Sequence, residues 1–276
     1  MRENLLKRRL EKSDICLGMQ LFSGSPGLLE IMGYSGFDWV MIDTEHGPVG
    51  VLDTIALEHL VRASRASGIT PIVRVTENNP KMVMKAFDAG AMGILVPHTK
   101  TKEDAVRMVQ AAKYMPAGTR GVCHVTEAGD FGLMDLAEYL RVANDETMVM
   151  ALIEDREGVE NIEEIVAVEG VDAVMIGPFE LSISLGVTGQ IEEGGRNDHA
   201  LMVKARDRVI DVCLKAAVPY GDFLWDFNAT KTLLGRGMQL PLWAPDYAVF
   251  LQACKDVVAK IKGGNGPVTE KALKSS

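Results

Sequence analysis

Short apolar runs alternate along this chain with longer stretches whose apolar residues recur at helical spacing. Strands are expected over 15–19, 39–42, 71–75, 92–96, 148–153, 173–176, 218–222 and 238–242. Helices are expected between them, over 27–32, 51–67, 80–89, 102–114, 159–166, 198–216, 228–234 and 246–262. In the stretch 198–216, Met202, Ala205, Val209 and Val212 fall on one helical face. Thr101 is a ready cap for the helix at 102, with Asp104 as the acid of its first turn.

Several runs share a lead-in. Ser35-Gly36-Phe37-Asp38, Ala89-Gly90-Ala91-Met92 and Glu169-Gly170-Val171-Asp172 each place a glycine just before a strand. Glycine closes a helix in a left-handed cap and turns the chain into the next element. Repeated βα units with right-handed crossovers give a parallel sheet. About eight units in this length predict a single-domain TIM (β/α)8 barrel. An open, doubly wound sheet is the competing arrangement, but no Gly-x-Gly-x-x-Gly follows the first strand. The barrel is expected over 15–262, after a lead-in at 1–14 and before a tail at 263–276 that opens with Gly-Gly-Asn-Gly-Pro. Two Gly-rich polar segments, 115–132 and 188–197, exceed ordinary connections and are read as lids or subunit contacts.

Composition narrows the function. With 38 acids against 29 bases, the chain is unsuited to nucleic acid or an anionic membrane surface. Four scattered cysteines form no Cys-x-x-Cys pair and read as reduced, mostly core thiols. The charged N-terminus lacks the apolar stretch of a signal peptide, and no run approaches a membrane span. A cytoplasmic protein is expected.

In a barrel, chemistry gathers at the C-terminal ends of the strands. The second predicted strand ends in Asp43-Thr44-Glu45-His46, the third near Arg74, the fourth in Pro97-His98 and the fifth in Glu154. The sixth runs into Gly177-Pro178-Phe179-Glu180. Carboxylate oxygens are hard ligands suited to Mg²⁺ or Mn²⁺. Either Glu154 or Glu180 alone is better explained by an ion pair, for Glu154 with Arg156 or Arg74; both together, on adjacent strands, favour a metal site. An Arg emerging from a core strand needs an anionic partner, so Arg74 grips either a substrate carboxylate or a neighbouring acid. His46 stands in a polar cluster with Asp43 and Glu45 and suits a general base. His98 is the weaker candidate. No lysine stands at an assigned strand end, which leaves Schiff-base chemistry without an amine.

These residues resemble the HpcH/HpaI aldolase family of metal-dependent, class II pyruvate aldolases. The likeness rests on the run from Phe37 to His46, on Pro71-Ile72-Val73-Arg74, on Asp88-Ala89-Gly90, and on Leu95-Val96-Pro97. It continues in Tyr114-Met115-Pro116-Ala117-Gly118-Thr119-Arg120-Gly121, in Ile153-Glu154, and in Ile176-Gly177-Pro178 followed by Glu180-Leu181-Ser182. The resemblance implies a barrel of the phosphoenolpyruvate/pyruvate type, its last helix exchanged with a neighbour in a homo-hexamer, a trimer of dimers. It implies His46 as base, with Asp88 raising its basicity and Asp43 in the same catalytic group. It implies Arg74 as transition-state stabiliser, Glu154 and Glu180 as ligands of Mg²⁺ or Mn²⁺ (Co²⁺ being a further option), and Gly177, Pro178, Phe179 and position 152 at the substrate.

Two positions depart from the family's pattern. Glu180 stands where Asp is usual, so the metal or its waters sit roughly a bond length away. Leu152 stands where Gln contacts the keto acid, and leucine has no hydrogen bond to offer. The expected reaction is reversible cleavage of a 4-hydroxy-2-oxo acid to pyruvate, or a related 2-oxo acid, and an aldehyde. The alternatives are an acyl-CoA lyase or 2-oxo acid decarboxylase using the same metal-assisted enolate chemistry, or a barrel that binds 2-oxo acids without catalysis.

Overall fold

The computed structural model describes residues 2–188 and 198–262. Eight parallel strands close into a barrel in sequence order: β1 (Gly18–Leu21), β2 (Trp39–Asp43), β3 (Thr70–Arg74), β4 (Gly93–Val96), β5 (Met148–Ile153), β6 (Ala173–Ile176), β7 (Tyr220–Leu224) and β8 (Leu240–Pro245). β1 pairs with β8 to complete the ring. The expected TIM barrel is the observed fold. Gly36, Gly90 and Gly170, the lead-in glycines, all have φ near +95° (97°, 95° and 96°), a region from which Cβ excludes most residues.

The helices are α1 (Leu5–Glu11), α2 (Pro26–Tyr34), α3 (Thr54–Ser67), α4 (Pro80–Asp88), α5 (Lys102–Ala112), α6 (Leu136–Glu146), α7 (Arg156–Glu160), α8 (Ile162–Val166), α9 (Pro178–Leu185), α10 (Ala200–Ala216), α11 (Phe227–Gly235) and α12 (Asp246–Lys262). The Thr101–Asp104 capping box opens α5 as expected. The single helix expected over 159–166 is broken at Asn161 into α7 and α8. Three helices lie where none was expected. α1 occupies the lead-in, α6 follows the 115–132 segment, and α9 begins at Pro178, whose fixed φ and missing N–H suit the first helical turn. The 263–276 tail and most of the 188–197 segment lie outside the described residues.

The two faces of the sheet bury different sets. Val40, Ile42, Val73, Ile94 and Ile153 pack outward against helices. Trp39, Met41, Ile72, Leu95, Met150, Leu152, Met175 and Leu242 form the barrel interior, and α1 adds Leu6 and Leu10 to that cluster. With a side-chain period of two, the inward parity at the strands' C-terminal ends falls on Gln20, Asp43, Arg74, Glu154, Gly177 and Trp225. The interior is thus apolar through its depth and becomes polar at one mouth.

α12 is different from the other long helices. Only Asp246 of it is buried, while Phe250, Val257 and Ile261 are exposed; its contacts with the barrel are to β8 and β1. Among the described residues no helix is long and apolar enough to cross a membrane. Cys16 and Cys213 are buried, but Cys123 and Cys254 are exposed, so half of the thiols depart from the expected core placement.

Candidate active site

The polar mouth of the barrel holds a cavity of about 180 Å³. His46, Arg74, Glu154, Gly177, Pro178, Phe179 and Glu180 all line it. Seven of the expected site residues, drawn from four βα units, therefore converge on one space. Asp43, Leu152 and Asp88 do not line it.

Asp43 ends β2 and lies beneath the cavity with its carboxylate fully buried. Arg74 Nε donates to Oδ1 at 3.1 Å and Nη2 to Oδ2 at 2.5 Å. Oδ1 also accepts the backbone N–H groups of Glu45 (3.0 Å) and His46 (3.1 Å). Asp43 thus ties the strand-end turn to the guanidinium and is a positioning group. Arg74 spends its fork on Asp43, and its Nε also lies 3.3 Å from Glu45 Oε2. That resolves the alternatives for its partner: the bidentate contact is internal and uses Nε and Nη2, while Arg74 also lines the cavity.

His46 is half exposed, with Nε2 3.8 Å from Glu45 Oε2. Asp88, expected beside it, is elsewhere. It ends α4, which runs antiparallel to the strands and so delivers its last residue to the opposite end of the barrel. There it accepts from Arg120 Nη2 at 2.9 Å, and the Arg120 guanidinium is sandwiched between Phe87 and Tyr114 at 4.9 and 4.7 Å. Among the described residues the carboxylate paired with the His46 ring is Glu45, a residue the sequence placed in the cluster without giving it a role. Burial pushes the Glu45 carboxyl above its ordinary value, against the pull of Arg74.

Glu154 is buried, and burial raises its carboxyl to about 7, partly opposed by the His98 backbone N–H, which donates to Oε1 at 2.8 Å. Glu45 adds to the rise by like-charge repulsion. His98 has φ of 50°, and its Nδ1 lies 2.9 Å from Asp155 Oδ2. Burial disfavours the charged imidazole, but Asp155 and Glu154 outweigh it and the His98 pKa is raised. Glu180 sits in the first turn of α9, exposed at the cavity rim. Gly177 permits this assembly: a Cβ there would come within 2.8 Å of Glu154 Cβ and 2.9 Å of its Oε2. Leu152 is fully buried below, one of the side chains that the same Cβ would touch, at 3.3 Å. It is part of the floor and not of the wall.

The donor set fits a divalent cation. Glu45 repels the buried carboxylate of Glu154, and Glu180 lines the same cavity. A cation there would favour the ionised form of Glu154 and offset the burial that raises its carboxyl. Among the described residues no group of three or more His, Cys, Asp or Glu is arranged to hold a metal by itself. Two carboxylates leave most of an octahedral shell to water and substrate, which is how Mg²⁺ is usually held.

The sequence reading missed part of the wall. Gln20, Phe22, Phe223, Trp225 and Pro245 also line the cavity. Strands one, seven and eight each extend two or three residues beyond their expected ends, and these residues sit on or just past the additional turns of pleat.

A closed (β/α)8 barrel with acids, an arginine and a histidine at its C-terminal mouth has the arrangement of an enzyme active site, and the proteins it is similar to are carbon–carbon lyases of the aldolase class. The family model for HpcH/HpaI aldolase/citrate lyase matches residues 17–253, and the chain belongs to that family. It is 33% identical over 258 residues to a 2-dehydro-3,6-dideoxy-6-sulfogluconate aldolase of Pseudomonas putida, covering 94% of this chain and 97% of that protein. It is 34% identical to a hydroxypyruvate/pyruvate aldolase of Roseobacter denitrificans, covering 95% and 98%. The crystal structure of an HpcH/HpaI aldolase from Desulfitobacterium hafniense superposes with a TM-score of 0.86 at 30% identity, over 97% of this chain and 99% of that one.

Proposed function

We propose that the protein reversibly cleaves a 4-hydroxy-2-oxo acid into pyruvate, or a close 2-oxo acid, and an aldehyde, with a divalent cation held by Glu154 and Glu180. The observation that carries this reading is the convergence of Arg74, Glu154, Glu180 and His46 on one cavity. The hard oxygen donors favour Mg²⁺ or Mn²⁺, with Co²⁺ a further option. When bound, the cation supplies Lewis-acid stabilisation to the 2-oxo group of the substrate.

The chain's own residues do the rest. His46 takes the proton of the C4 hydroxyl as the C3–C4 bond breaks, and Glu45, 3.8 Å away, steadies its ring. Arg74 Nη1, aimed by the bidentate grip of Asp43 on the other two nitrogens, meets the negative charge that develops on the 2-oxo oxygen. The buried Asp43–Arg74 pair costs no reorganisation at that moment. Gly177 and Pro178 bring the backbone of β6 close enough to leave Glu154 its room.

A homo-hexamer with an exchanged last helix is part of the same reading. It is supported by the exposed apolar residues of α12, and by Met115, Val125, Phe131 and Leu133 exposed on and beside the 115–132 segment. Free cysteines and the lack of a membrane-length helix among the described residues suit the cytoplasm. The test is release of pyruvate from 4-hydroxy-2-oxo acids, set against release of pyruvate from a citramalyl-type, or glyoxylate from a malyl-type, CoA thioester, with and without EDTA. Cation-dependent release from the free acids is expected. Release from the thioesters alone, or none from either, would reject the assignment.

A further inference from the structure

The chemistry assigned above uses only half of the cavity wall. Glu45, Arg74, His98 and Glu154 stand on or beside β2 to β5, whereas β7, β8 and β1 supply the other half at Phe223, Trp225, Pro245, Gln20 and Phe22. Phe179, from α9, packs edge-on against Trp225, with centroids 5.0 Å apart and planes at 85°. This half is an aromatic wall interrupted by one carboxamide. Gln20 is 2% exposed. Among the described residues its side chain donates one hydrogen bond, from Nε2 to Trp243 O at 3.3 Å, longer than the usual N–H···O range. A carboxamide has a second N–H and an acceptor oxygen, and buried polar groups seek partners.

Charge points the same way. Among the described residues, Arg74 is the one Lys or Arg that lines the cavity; its guanidinium lies 6.0 Å from the Phe223 ring, but its charge is already met by Asp43 and Glu45. An anionic substituent placed against Trp225 would lose its hydration without meeting a countercharge. A neutral ring or alkyl chain would stack there and gain. We propose that this half is the acceptor subsite, and that it selects an uncharged aldehyde with an aryl or alkyl substituent, any oxygen on that substituent being hydrogen-bonded by Gln20.

The inference rests on the aldolase reading. In the addition direction C3 of pyruvate gives up a proton, its electron pair forms the bond to the aldehyde carbon, and the aldehyde oxygen takes up a proton. Nothing is oxidised or reduced.

The test compares matched acceptors in pyruvate addition: butanal against succinic semialdehyde, and benzaldehyde against 4-carboxybenzaldehyde. The neutral member of each pair is expected to show at least a tenfold higher kcat/KM. Trp225→Ala, or Phe179→Ala at a more exposed position if the first fails to fold, should cut the benzaldehyde-to-acetaldehyde ratio about tenfold, and Trp225→Phe should keep most of it. Equal or greater efficiency with the charged members overturns the inference. Proton–deuterium exchange at the pyruvate methyl group, run on the same preparations, separates the two levels. Exchange with no addition of neutral aldehydes rejects the acceptor subsite alone, and absence of exchange rejects the aldolase reading and this inference with it.

Discussion

Asp43→Asn isolates the pair on which the orientation of Arg74 depends. The Asp43 carboxylate is fully buried, and the Arg74 side chain is 7% exposed. Asparagine keeps an oxygen for the backbone N–H groups of Glu45 and His46, so the strand-end turn survives. What goes is the charge opposite the guanidinium. Breaking a buried pair by neutralising one partner costs about 3–5 kcal/mol. Glu45, at 3.3 Å from Nε, still offsets part of the charge, so the low end, about 3 kcal/mol, is expected. At roughly 2–4 °C per kcal/mol for a chain of this size, the melting midpoint should fall by roughly 6–12 °C. Misdirecting Nη1 by about 1 Å should lower kcat on the order of 10²-fold. Thermal unfolding and steady-state pyruvate release measure the two effects. The double variant Asp43→Asn/Arg74→Met removes the orphaned charge and should regain much of the stability but none of the activity. A single variant within about 0.5 kcal/mol of wild type, the range of ordinary surface changes, with unchanged kcat, would refute the positioning role.

Gly177→Ala places a methyl group 2.8 Å from Glu154 Cβ; it should cost about 1–3 kcal/mol and weaken Mn²⁺ binding, and an unaltered Mn²⁺ titration would show that the carboxylate is not held by this contact. Glu180→Asp restores the residue usual in the family and should keep or improve turnover, whereas total loss would show a site built around the longer acid. Glu154 also predicts a pH dependence. Its folded-state pKa, about 7, lies above the ordinary 4.5, so its contribution to stability is present below 4.5 and is lost as pH rises through 7. A cation binds the ionised form, so the rise in melting temperature with Mn²⁺ should be larger at pH 8 than at pH 5.5, apparent affinity falling roughly tenfold per unit below 7; an equal rise at both would remove Glu154 from the cation site.

The barrel was legible because its signals are local. Glycine lead-ins and apolar runs mark each βα unit, and β5 and β6 fall where expected to the residue. The acidic half of the site was legible because charged residues at the ends of buried strands stand out against their neighbours. The aromatic half was not. Phe223 and Trp225 look like more strand, and Gln20 looks like an interruption, until inward parity is counted from the true strand ends. The Asp88–His46 pairing implied by the resemblance is not formed within the chain, because α4 runs antiparallel to the strands and ends at the far end of the barrel, where Asp88 pairs with Arg120. Pro178 at the first position of α9 is a start signal readable in the sequence, although no helix was expected there.

In the proposed reaction a cation held by Glu154 and Glu180, with Arg74 beside it, stabilises negative charge on a 2-oxo acid. The most direct measurement is NMR-detected exchange of the pyruvate methyl protons in D₂O. Exchange is expected with Mn²⁺ or Mg²⁺, should vanish in EDTA, return on adding the cation back, and fall steeply in Glu154→Gln. Undiminished exchange in the chelated wild-type protein, or in Glu154→Gln, would contradict the claim.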